Sequence, residues 1–294
     1  MSEQELDLRS AADFRLARLR SFLGRVSSVF SGPPRRLLAF EEVREKLHVG
    51  GAIYRGVHAV PVARILGSVD RYRDFDGHFL PKHNELEPRW SRINRAWYQE
   101  ISLPPVLLYQ VGDVYFVVDG NHRVSVARAQ GQEFIDAEVR QCFCRVPLSP
   151  EIRPEDLERL GDQVEFLERT RMDRVRPGAV FEPTVLGGYD RILEHIAVHR
   201  YFMGLDERRE VPEEDAVAHW HDTLYKPAVE VIEESGVLAD FPGRTATDLY
   251  LWVMDHMHYL RSQPGGETLD AHHAAESYLR FHEDKGYTRD EQDH

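Results

Sequence analysis

Residues 114–131, VYFVVDGNHRVSVARAQG, hold a complete strand, turn and helix. Val114–Val118 is apolar, β-branched and aromatic throughout, the pattern of a strand covered on both faces. Asp119-Gly120-Asn121 stops that strand. A helix is expected over His122–Gln130, with Asn121 or Asp119 as its cap and Gly131 just past its end. Upstream, Val106–Gln110 is a second strand, joined to the first by the hairpin connection Val111-Gly112-Asp113. Downstream, Ile135, Ala137, Val139 and Phe143 alternate with Asp136, Glu138, Arg140 and Cys142, as in a half-buried strand.

The turn carries the chemistry. At a helix N-terminus the first backbone N–H groups have no partner in the helix and the dipole is positive, so an anion is stabilised there. His122 and Arg123 would add side-chain donors to phosphate oxygens. A carboxylate beside bound phosphates can hold Mg²⁺ or accept a proton, which makes Asp119 a candidate for either role. The competing expectation is a turn in which Asp119 and Asn121 cap the helix and Arg123 forms a surface pair.

Further upstream, Val57–Ile65 reads as one strand with an early proline, and a polar helix runs from about Glu85 to Glu100, ahead of the break at Pro104-Pro105. The run Val57–Gly67 (VHAVPVARILG), Pro105-Val106 ahead of a strand, and DGNHR followed by a small-residue helix, a glycine and IDAEV resembles the ParB/sulfiredoxin superfamily. The resemblance covers about residues 50–146. In sulfiredoxin the residue before His-Arg is the reactive cysteine. Asn121 stands in that place here, so sulfinic-acid chemistry, which needs a thiolate, is excluded. The box of ParB is Gly-Glu-Arg-Arg and binds the triphosphate of CTP; Arg123 matches one of its arginines, while Asn121 and His122 depart. The free-serine kinase of archaea carries Asp-Gly-His-His-Arg, so Asp119, Gly120, His122 and Arg123 match that variant and Asn121 alone departs. In that family the acid is proposed to help activate the acceptor hydroxyl. Its second catalytic glutamate lies near the first strand, where this chain has Gly67-Ser68-Val69-Asp70-Arg71-Tyr72-Arg73. Ser68, Arg71 and Arg73 follow a strand end there and are candidates to face the same phosphates, with Asp70 or Asp74 as a replacement acid. Solvated loop arginines are the alternative.

Outside this region the chain is helical. Residues 12–30 place Leu16, Leu19, Leu23, Val26 and Phe30 at steps of three and four with Arg15, Arg18 and Arg25 between them, an amphipathic helix. Its apolar stripe is expected to pack on the body of the protein; a basic face toward a membrane surface or partner is the alternative. Ser31-Gly32-Pro33-Pro34 ends it. After Pro147 four helical stripes follow: Leu157, Leu160, Val164 and Leu167; Tyr189, Ile192, Leu193 and Ile196; Val217, Trp220, Leu224 and Val231; and Leu249, Trp252, Val253, Met257 and Leu260. Pro227 is expected to kink or end the third, and residues 285–294 to fray.

This half is rich in histidine. His195 and His199 share a helix face after Glu194, and Asp255 with His258 offers a second pair, while His219/His221 and His256/His258 are spaced to point apart. Metal binding needs further ligands converging from elsewhere, so these histidines are expected as polar faces or buried hydrogen-bonded groups. Cys142 and Cys144 are expected to pack as small residues rather than act as a redox pair.

Composition narrows the function classes. With 42% hydrophobic and 30% charged residues, the 294-residue chain is globular rather than disordered. Two cysteines make no disulfide framework, no apolar stretch approaches a membrane span, and Glu3, Glu5 and Asp7 replace a basic signal region, so a cytoplasmic location is expected. Residues 1–150 carry 21 Lys+Arg against 18 Asp+Glu, whereas residues 151–294 carry 16 against 32. At a net charge of −13 the whole is a poor non-specific binder of nucleic acid, and any such binding falls to the first half.

These readings combine into an α+β protein: a basic N-terminal helix and linker over 1–36, a ParB/sulfiredoxin-like domain over 37–148, and an acidic helical domain over 149–294. The expected function is binding of a nucleotide, ATP, ADP or CTP with Mg²⁺, by a small-molecule phosphotransferase or NTP hydrolase. Asp119 and His122 would be catalytic, and Gly120, Asn121, His122, Arg123, Ser68 and Arg71 would surround the nucleotide, with Asp119 on the metal. The alternatives are a DNA-associated, partition-type regulator with a nucleotide switch, and a non-catalytic interaction protein with a degenerate site. The acceptor substrate and the oligomeric state stay open.

Overall fold

The structure, a computed structural model, describes residues 2–31 and 36–262, together with His273 and Ser277. The turn expected at 32–34 and the tail at 285–294 lie outside the described residues, as do the side chains of Arg25, Phe30, His258 and Leu260. The chain divides into two compact units, Met1–Val164 and Glu165–His294. Residues 149–164 thus belong with the first unit, although the sequence boundary was read at 149. Lys46 of the first unit pairs with Glu158 of that segment at 2.6 Å.

The first unit is a six-stranded mixed sheet. Its elements are α1 (Glu3–Ser31), β1 (Leu38–Ala39), α2 (Phe40–Lys46), β2 (Ala52–Pro61), β3 (Ile65–Ser68), α3 (Glu87–Tyr98), β4 (Val106–Val111), β5 (Val114–Asp119), α4 (Asn121–Ala129) and β6 (Phe134–Cys142). The strand order is β1-β3-β5-β4-β6-β2. The run expected as one strand over Val57–Ile65 is two strands on opposite sides of the sheet. Pro61 has no N–H to continue the ladder, so β2 ends there against β6, and one tight turn at Val62–Arg64 leads into β3 beside β5.

β5 lies inside the sheet with both faces covered, as its all-apolar run predicts. Val117 joins Phe14, Trp90, Leu108 and Val124 on one side, and Phe116 meets Phe40 edge-on at 5.4 Å on the other. β6 stops at Cys142, which is buried, and leaves Phe143 52% exposed, against the expected alternation. Both cysteines are free thiols, pushed up in pKa mainly by burial.

α1 packs through the face opposite to the expected one. Leu16, Leu19, Leu23 and Val26 are 45–54% exposed, whereas Leu6, Ser10, Phe14, Ala17 and Ser21 are buried. Small residues at Ser10, Ala17 and Ser21 let α1 approach α3 closely, and polar bonds hold it there. Ser10 donates to the Ser91 carbonyl at 2.8 Å, and Asp13 Oδ2 accepts from Asn94 at 2.9 Å, Tyr98 at 2.7 Å and Gln130 at 3.2 Å. Arg18 donates to Asn84 Oδ1 and so is tied to the protein rather than presented outward.

The second unit is helical, which completes the α+β class. α5 (Leu157–Thr170) leads into it, followed by α6 (Met172–Val175), α7 (Gly188–Glu207), α8 (Glu213–Trp220), α9 (Lys226–Ser235) and α10 (Ala246–Ser262). Its core includes Phe181, Ile192, Trp220, Tyr225, Leu249 and Tyr250. A π-helical turn at His221–Tyr225 joins α8 to α9 and delivers Pro227 into the first turn of α9, where a missing N–H is tolerated. Among the described residues no helix is long and apolar enough to cross a membrane.

Candidate functional site

Parallel pairing of β3 with β5 sets Ser68 opposite Val117, so the chain leaves both strands at the same edge of the sheet. Ligands of α/β sheets bind beyond the carboxyl ends of such strands. The loop after β3 and the turn after β5 therefore converge there.

The turn depends on Gly120. Its φ of +107° is a conformation L side chains avoid, and a Cβ would fall 2.6 Å from Val106 Cγ1 and 3.0 Å from two guanidinium nitrogens of Arg123. Gly120 is the N-cap of α4 and brings no side-chain bond, so neither Asp119 nor Asn121 caps the helix as expected. The helical ladder starts with Val124 N–H donating to the Gly120 carbonyl at 3.0 Å. The amides of Asn121, His122 and Arg123 precede it and have no carbonyl of the helix to bond.

Asn121 is 7% and His122 4% exposed, and Asn121 Oδ1 and His122 Nδ1 have no hydrogen-bond partner. Buried polar atoms ordinarily have one. The His122 ring stands edge-on to Phe75, centroids 5.5 Å apart. Burial pushes its pKa down to about 4, with the guanidinium groups of Arg89 and Arg71 adding to the effect and Asp74 opposing it. His122 is therefore a neutral imidazole at pH 7, a hydrogen-bonding group rather than a cation.

Arg71 is anchored from the β3 end. Ser68 is fully buried; its Oγ donates to the Val117 carbonyl at 3.3 Å and accepts from Arg71 N–H at 3.2 Å. The Arg71 guanidinium, 44% exposed, pairs with Asp74 at 3.2 Å. Asp70 is exposed, and Arg73 lies over the Tyr72 ring at 5.5 Å. Arg89, in the first turn of α3, had drawn no notice in the sequence. A lone arginine on a polar helix carries no signal until α3 packs against α4.

Arg123 is placed differently from the phosphate-facing expectation. One arm donates to Asp119 Oδ2 at 2.6 Å and the other to the carbonyl oxygens of Pro104 and Pro105, the latter at 3.0 Å. Its side chain is 15% exposed, that of Asp119 66%. Arg123 thus fixes the turn, and Asp119 stands at its rim.

A phosphate group suits this arrangement: leading amides with no carbonyl of the helix to bond, a buried imidazole with an orphaned nitrogen, and the positive field that Arg71 and Arg89 exert on that imidazole. Magnesium has less to hold it. Asp119 is one carboxylate already paired with Arg123, and no three His, Cys, Asp or Glu side chains converge among the described residues. In the second unit His195 and His199 have separate partners. His195 Nδ1 lies 3.3 Å from the Tyr250 hydroxyl, and His199 Nε2 lies 2.8 Å from His219 Nδ1 with the rings stacked. Asp255 pairs with Arg191 at 2.7 Å.

No family model matches the chain, and no curated protein matches it. Among solved structures it is similar to sulfiredoxin from Arabidopsis thaliana, 17% identical with a TM-score of 0.24, over 30% of this chain and 86% of that one.

Proposed function

We propose that this protein binds the phosphates of a nucleotide at the N-terminus of α4. The observation that carries the reading is His122: almost wholly buried in the first turn of a helix whose N-cap, Gly120, brings no side-chain bond, its Nδ1 without a partner, and within the positive field of Arg71 and Arg89. Phosphate oxygens would accept from the leading amides and from both arginines, with the neutral imidazole as a directional donor. Asn121, beside His122, would meet a ligand hydroxyl with its orphaned oxygen. Ser68 holds the Arg71 loop, and Gly120 lets the backbone approach. Arg123 orients Asp119 at the rim, where the carboxylate would meet a phosphate-bound Mg²⁺ or the hydroxyl of a small-molecule acceptor. The reaction class is phosphoryl transfer to a small molecule or NTP hydrolysis.

The test is a thermal-shift screen of ATP, ADP, CTP and GTP with Mg²⁺ on the wild type, His122→Ala and an Arg71→Ala, Arg89→Ala double variant. A ligand at a hundred times its Kd stabilises the folded state by about 2.7 kcal/mol. One nucleotide is expected to raise the melting temperature of the wild type and to lose most of that effect in both variants. A screen without any shift, or a shift that survives both variants, overturns the reading.

A further inference from the structure

We propose that α1 lays the protein on an anionic lipid surface, its exposed apolar stripe entering the lipid and its arginines meeting the headgroups. α1 is held to the first unit by one side only. Phe14, Ala17 and Ser21 are buried there, whereas Leu16, Leu19, Leu23 and Val26 are 46%, 51%, 54% and 45% exposed. At roughly 100° per residue these four lie within about 80° of one another, on the side of the helix opposite Phe14 and Ala17. Asp13 and Ser10 fix the docked side through their bonds to α3, so the stripe cannot turn inward without breaking them.

Charge identifies what covers the stripe. From Phe14 to Val26 the sequence holds Arg15, Arg18, Arg20 and Arg25 and no Asp or Glu. Arg15 and Arg20 are exposed, border the stripe on its two edges, and form no ion pair among the described residues. A cation along each edge of an apolar strip is the arrangement of a helix lying in a membrane interface. The leucines enter the acyl boundary, and the arginine stems run beside them while the guanidinium groups reach lipid phosphates. The shallow groove on the Arg15 side is lined by Arg15 and Arg18 against Glu87, so its balance is positive too. Nucleic acid would satisfy the arginines but offers no apolar layer for the leucines. A second copy of the same segment would set arginine against arginine along both edges.

The test is co-sedimentation of the full chain with vesicles of phosphatidylcholine alone and of phosphatidylcholine mixed with phosphatidylglycerol. The wild type is expected to bind the mixed vesicles, to bind phosphatidylcholine far less, and to be released by salt. A Leu19→Glu, Leu23→Glu double variant, at exposed positions, is expected to lose binding while keeping native circular dichroism. An Arg15→Ser, Arg20→Ser double variant keeps the stripe and is expected to bind roughly fivefold more weakly for each arginine removed. A wild type that leaves the mixed vesicles unbound overturns the proposal, as does equal binding to both vesicle types or binding that survives the leucine variant. Sedimentation without lipid completes the test: a wild-type oligomer that the leucine variant dissociates would show that a second copy covers the stripe and would equally overturn the proposal.

Discussion

Arg123 reaches back one turn to Asp119, guanidinium to Oδ2 at 2.6 Å, while its other arm holds the carbonyl oxygens of Pro104 and Pro105. The two partners are unequally placed, with Asp119 mostly exposed and Arg123 mostly covered. Removing them is therefore expected to have unequal effects. Arg123→Met deletes several charge-assisted bonds and costs about 1–3 kcal/mol. Asp119→Asn removes one rim charge and costs about 0–1 kcal/mol. Urea unfolding of both variants checks this; equal losses would show that the clasp on the prolines contributes nothing.

Gly120→Ala meets both a forbidden φ and a filled space, because its Cβ would sit 2.6 Å from Val106 Cγ1. The expected loss is about 2–4 kcal/mol. Gly131, at φ +70° with nothing within 4 Å of its Cβ position, is the control. Alanine there costs only about 1 kcal/mol. Comparable urea midpoints for the two variants would mean that packing at Gly120 is slack.

The strand-turn-helix around DGNHR was legible because its signals are local: an all-apolar strand, a glycine, and small residues recurring along α4. The docking face of α1 was not. Its sequence offers two stripes, and the more apolar one, Leu16 to Val26, lost to a stripe containing Ser10, Ala17 and Ser21. The choice is made by Asp13, whose partners Asn94, Tyr98 and Gln130 are distant in sequence. For the same reason Arg89 escaped notice beside His122. β1 and α2 were missed because two strand residues and seven helical ones are too few to set a period.

Asp13 gives a third test. Asp13→Ala leaves the fully buried Asn94 amide without its carboxylate acceptor and deprives Tyr98 and Gln130 as well. An unmet buried donor costs about 1–3 kcal/mol. Since these bonds join α1 to α3 and α4, the loss is expected to fall first on α1, read as faster amide hydrogen exchange in residues 6–21 than in β5. Uniform acceleration across the first unit would show that α1 is not separately held.

His122 links stability to pH. Its pKa is about 4 in the folded protein against an ordinary 6.5. Between these values the unfolded chain binds a proton that the folded chain refuses, so stability is full above about pH 6.5 and falls as pH drops toward 4. The loss is on the order of 3 kcal/mol. His195, pushed down to about 4 chiefly by burial, adds a similar share in the same window. His199 and His256, also lowered by burial, act in the same direction, so His122→Gln is expected to flatten the pH slope in part rather than abolish it. The imidazole can also be followed directly by NMR. A His122 midpoint near 6.5 would contradict the burial argument. A phosphate placed against the ring favours the imidazolium, so a bound nucleotide is expected to move the midpoint upward. A midpoint that stays near 4 with nucleotide bound would place that nucleotide elsewhere while leaving the effect on folding intact.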